Sequence, residues 1–134
     1  ESIISLTTSK DKIVFPPYDA IPRDTFIQKI NSSGKKWVIF TDENNEPKLA
    51  LDTDGFIRSE LFCNKCAGIE KFCHTPFVIR DEKANLGEII LGMKHESELH
   101  SDTPIDKDIV LLWTDNTKRI ITGSDIYGRL LKGI

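Results

Sequence analysis

The sequence predicts an α+β chain built from two tandem β-α-β-β-α units. Short apolar runs bounded by turn residues alternate with segments of helical period, and the whole alternation occurs twice. The matching elements also keep register. Thr41-Asp42 answers Thr114-Asp115 at an offset of 73, and Leu51-Asp52 answers Ile121-Thr122 at an offset of 70. The second offset continues through Phe56 with Ile126 and Leu61 with Leu131, and the three-residue difference falls within the longer first turn.

Residues 1–12 hold five Ser/Thr and two Lys without sustained periodicity and read as a flanking arm or short helix. The first unit, 13–61, opens on the β-prone run Ile13-Val14-Phe15, halted by Pro16-Pro17 because proline cannot donate to a ladder. Phe26, Ile27 and Ile30 then repeat at helical spacing, with Asp24 or Thr25 placed to accept from the first amides. Asn31-Ser32-Ser33-Gly34 ends that helix. Trp37 to Phe40 and Lys48 to Leu51 form a hairpin around a polar turn, and a second helix carries Phe56, Ile57 and Leu61. The Cys-rich stretch 62–74 links the units. In the second unit, 75–134, Pro76 to Arg80 is a strand, Asn85 to about Lys94 a helix and His95 to Asp108 a polar stretch. Ile109 to Trp113 and Arg119 to Thr122 are a second hairpin, and Ser124 onward is the last helix.

The 134 residues suit one compact globular unit, with 39% apolar residues for a core and 29% charged. A net charge of −3 argues against a surface that tracks phosphates, so no nucleic-acid partner is expected. The longest apolar run, Ile109 to Trp113, is far short of the roughly 18 residues of a membrane span. No basic-then-apolar leader is legible, and Glu1 in place of Met is what a piece of a longer protein would show. Three cysteines, an odd count, point to a reducing compartment, hence a cytoplasmic location. No nucleophile-base-orienter set, carboxylate pair or phosphate loop is legible, so no catalysis is expected.

A tandem β-α-β-β-α chain resembles a pair of CBS domains, the cystathionine-β-synthase type of regulatory module. The likeness is carried best by Asp108-Ile-Val-Leu-Leu-Trp-Thr-Asp and by Arg119-Ile-Ile-Thr-Gly-Ser-Asp-Ile-Tyr-Gly-Arg-Leu-Leu, which looks like the family's closing strand, Thr-x-x-Asp and helix. The resemblance implies pseudo-twofold packing of the units and a cleft for an adenosine-containing ligand: AMP first, with ADP, ATP and S-adenosylmethionine as the others. It also implies a non-catalytic sensor that controls a fused or separate protein. Side-by-side homodimers through the terminal helices follow from it too, with Phe56, Ile57, Ile126 and Leu130 as the apolar faces.

The chemistry of Thr122-Gly-Ser124-Asp125 supports such a site. A hydroxyl at a strand end and a carboxylate in the first helical turn lie together, and the carboxylate can accept from two vicinal ribose hydroxyls. The free amides and positive end of the helix favour a phosphate nearby. Thr-x-x-Asp is also close to a capping box, and the same residues can do both jobs. Val78 and Ile79 are candidates for an apolar adenine slot, and Arg80 or Arg58 for countering a phosphate, although surface arginines are commonly solvated. The first unit has Asp52 and Gly55 at the matching positions, so it lacks the ribose carboxylate and at most one nucleotide site is expected.

Cys63-x-x-Cys66 followed by Cys73-His74 is the rival feature. Three thiols and an imidazole can complete one tetrahedral set, with zinc ahead of an iron–sulfur cluster, which would make a structural or redox-sensing module. The spacing matches no standard finger, and neighbouring Cys73 and His74 point apart in an extended chain. The alternative is apolar thiols packed under a linker. His95 and His100, five apart, fall on different helix faces and read as surface residues, and Trp37 and Trp113 as core or cleft-wall aromatics.

Overall fold

The first strand of the chain is Ser2–Ser5 (β1), and it runs parallel to Trp37–Thr41 (β4) with Ile4 opposite Phe40. The computed structural model describes residues 2–62, 68–81, 83, 87–88 and 109–122. They fall in two compact units, Glu1–His74 and Thr75–Ile134. The helices and strands within these residues give a mixed α+β chain. Among the described residues no helix is long and apolar enough to cross a membrane.

In the first unit β1 replaces the expected flanking arm. The serines of Ser2-Ile3-Ile4-Ser5 disguise a strand whose Ile4 is 4% exposed while Ile3 stays 41% exposed, the alternation that a pleated chain requires. Thr8–Ser9 (β2) and Lys12–Ile13 (β3) then form a two-residue hairpin. Its turn holds Lys10 and Asp11 at φ of 52° and 64°, the twist that two-residue hairpins favour. The strand expected at Ile13-Val14-Phe15 is thus confined to Ile13. Val14 is exposed, and Phe15 instead sets its ring edge-on to Phe40, 5.3 Å between centroids.

Helix α1, Thr25–Ser32, starts where Asp24 accepts from the amides of Phe26 (2.9 Å) and Ile27 (3.0 Å). It stops where Gly34 takes a φ of +65°, a left-handed step that costs glycine little. β4 continues into Pro47–Asp52 (β5) as an antiparallel hairpin, and β5 leads into α2, Thr53–Phe62. A 3-10 turn, Ile69–Phe72, precedes Cys73–His74 (β6), which pairs with β5 to give the sheet order β1-β4-β5-β6. Val38, Phe40 and Leu51 face one side, where Phe26, Ile27, Ile30 and Phe56 cover them.

The second unit repeats the central three-strand order. Phe77–Ile79 (β7) is parallel to Ile109–Trp113 (β8), and β8 is antiparallel to Lys118–Thr122 (β9). Pairing revises the offset between the hairpins. Trp37 lies opposite Asp52 and Ile109 opposite Thr122, so β4 corresponds to β8 at 72 (109 − 37) and not at 73. Only this register puts Val38 and Phe40 in correspondence with Val110 and Leu112, which face Ile79 and Ile121; a one-residue slip would invert every side chain. The lengths differ by two residues: one lies in the turn and the other is Lys48, skipped by a bulge between Phe40 and Thr41. Asp42 therefore answers Thr114, and both tie their turns. The Asp42 carboxylate accepts from Asn44 (2.9 Å) and Glu46 (3.0 Å), and the Thr114 hydroxyl accepts from Thr117 (2.9 Å).

The expected helices of the second unit, over Asn85 to Lys94 and after Ser124, with the polar stretch between, lie outside the described residues apart from two positions, Gly87 and Glu88.

Candidate functional site

Thr122 is the last residue of β9, half-buried and opposite Ile109 at the start of β8. Strand alternation places it on the face of the sheet that carries Leu111, Ile120 and Val78. Ile79, the neighbour of Val78, points to the other side and packs with Val110 and Leu112. The two do not line one slot together, because successive residues of a strand face opposite ways. Arg80 follows β7 beside the far end of β8. It lies about 13 Å along the strands from the Thr122 end, and the sheet does not bring the two together. Ser124 and Asp125, the other two members of the motif, lie outside the described residues.

The matching corner of the first unit is fully described. Asp52 ends β5, and its carboxylate accepts from the Gly55 amide at 3.3 Å. This capping bond occupies a donor that a phosphate would otherwise take. Arg58 sits one turn further along α2, exposed, at the wall of an open groove of about 550 Å³ lined by Asn31, Thr53, Asp54, Ile57, Arg58 and Phe62. No sequence signal marked this groove, since it forms where the end of α1 meets the outer side of α2. Asp54 in its wall opposes the charge of Arg58. Phe56, expected on an exposed dimer face, is 0% exposed. Its ring is held by Tyr18 at 5.9 Å and Phe72 at 6.2 Å, so it is a core residue.

Of the cysteine cluster, Cys63 and Cys66 lie outside the described residues, while Cys73 and His74 form β6. Cys73 pairs with Leu51 and packs on the core, and His74 pairs with Ala50 and turns the other way, edge-on to Trp37 at 5.6 Å. Burial, reinforced by the carboxylate of Glu70, pushes the Cys73 thiol up to about 12. Without a metal, a thiol so held keeps its proton and is a poor nucleophile. Among the described residues no three His, Cys, Asp or Glu side chains converge. His95 and His100 lie outside the described residues.

The chain matches no protein-family model and no curated protein.

Proposed function

We propose that this chain is a non-catalytic, CBS-like regulatory module that binds an adenosine-containing ligand, with AMP as the leading candidate, at the junction between β9 and the segment that follows it. The observation that carries the reading is the position of Thr122. It closes the third strand of a parallel-then-antiparallel sheet, on the same face as Val78, and Ser124 and Asp125 come directly after it in the sequence. The recurrence of that strand order and face pattern in both units supports a duplicated frame. In this reading Thr122 and Asp125 hold the ribose, Ser124 and the amides beside it take the phosphate, and Val78 contributes to the adenine wall. Ile79 supports the sheet from behind, and Arg80 lies too far along the strands to serve the Thr122 end.

Such a module signals only if the ligand prefers one of two arrangements, since equal affinity for both shifts nothing. Its output is control of an attached or partner protein in the cytoplasm. A homodimer through α2 and the C-terminal segment would use Ile57, Ile126 and Leu130 without Phe56. The test is calorimetric titration of metal-stripped protein with AMP, ADP, ATP and S-adenosylmethionine, beside an Asp125→Ala variant and a separate zinc titration. Saturable binding of one of these ligands, lost in Asp125→Ala with the fold retained, is the expected result. Unchanged affinity in the variant would remove the assigned site, and stoichiometric zinc uptake without adenosyl binding would move the function to the cysteine cluster.

A further inference from the structure

Position 55 is where the first unit departs from the second, and its surroundings supply a reason. A Cβ on Gly55 would stand 3.2 Å from Cδ1 of Phe72 and 3.0 Å from Oδ2 of Asp52. The Phe72 ring belongs to the 3-10 turn Ile69–Phe72, which is tied to the sheet by the pairing of the next residue, Cys73, with Leu51. The same ring lies 6.2 Å from that of Phe56, and the Asp52 carboxylate already holds the Gly55 amide at 3.3 Å. Beside the first turn of α2, the chain's own aromatic ring and carboxylate therefore crowd position 55.

Resting on the nucleotide reading above, we propose that Phe72 is an internal plug that keeps the first unit's counterpart of the nucleotide site shut, so that each chain takes one adenosine ligand. The absence of a carboxylate at position 55 is then a consequence of the plug, since a side chain there would press on the ring at 3.2 Å and on the Asp52 carboxylate at 3.0 Å. Restoring the carboxylate alone does not reopen the position; the ring must go as well.

The experiment is calorimetric titration of AMP and ATP into the wild-type chain, Gly55→Asp, and Gly55→Asp with Phe72→Ala, each checked by circular dichroism. The expected stoichiometries are one, one and two ligands per chain. Two ligands on Gly55→Asp alone would overturn the plug, and so would one ligand on the double variant when the wild-type chain also binds one. No binding by any of the three would remove the nucleotide reading itself, and the plug with it; binding by the double variant alone would keep the plug and discard the second-unit site. Because the double variant loses core packing, the wild-type chain is also followed by NMR with saturating AMP. Amide shifts at 122–125 with none at 69–72 are expected, and shifts at Phe72 as large as those at Asp125 would overturn the plug.

Discussion

Asp24 shows how much a single half-buried carboxylate organises. Its oxygens accept from the amides of Asp19 (2.8 Å), Phe26 (2.9 Å) and Ile27 (3.0 Å), so one side chain fixes both the approach to α1 and its first turn. Those bonds, the one from Asp19 foremost, hold its pKa below the ordinary aspartate value of 3.8. A carboxylate with a lowered folded value contributes stability above its unfolded value and loses that contribution as the pH falls through the folded one. Asp24→Ala should therefore lower the thermal midpoint at pH 7 and flatten its decline on the acid side, while Asp24→Asn should keep most of the pH 7 midpoint. Thermal melts between pH 2 and 7 measure this; an unchanged acid slope in Asp24→Ala would show that the cap carries no linkage. Cys73 has the opposite sign. Its thiol is pushed up to about 12 by burial and then by Glu70, so the unfolded chain loses the proton first as the pH rises past the usual thiol range, and folding weakens there. In native protein at pH 8, iodoacetamide followed by peptide mapping should label Cys73 far more slowly than after denaturation. The cap was legible in the sequence because it acts over three residues. Packed apolar thiols were one of the two readings of the cysteine stretch; the partner strand that buries Cys73 was not legible, because β5 lies more than twenty residues earlier.

Helix α2 is anchored to the core chiefly through the ring of Phe56. Phe56 is fully buried between Tyr18, Phe72 and the sheet, so Phe56→Ala should cost about 3–5 kcal/mol, read as a shift in urea midpoint at constant slope. A loss of less than about 1 kcal/mol would contradict the packing described. The helical spacing of Phe56, Ile57 and Leu61 is a local signal and was legible. Which member turns inward is set by the chain that covers it, here Tyr18 and Phe72, and it was the expected side-by-side dimer that put Phe56 on an outer face. β1 escaped for a related reason. Two isoleucines between serines carry too little pattern to declare a strand, and pairing along β4 makes it one. The hairpin offset was read one residue long because Thr-Asp occurs at both turns, yet Asp42 answers Thr114 in position and in the bonds it makes.

At the scale of the whole molecule, α+β composition and the parallel-then-antiparallel order of both units are what the strands establish, and a sensor role is what we propose from them. The sequence marked Thr122 as a strand end through the change from apolar alternation to Gly-Ser-Asp. It did not reveal that Val78 and Ile79 part to opposite faces or that Arg80 stands at the far end of β7, since both follow from pleating and strand direction, which a list of residues does not display. The central claim is that an adenosine ligand sits where β9 gives way to Ser124 and Asp125. Hydrogen exchange read by mass spectrometry, with and without saturating AMP, tests it most directly. The account predicts slowed exchange in peptides covering 120–131 and none in those covering 52–62. Unchanged exchange at 120–131, or protection confined to 52–62, would contradict it.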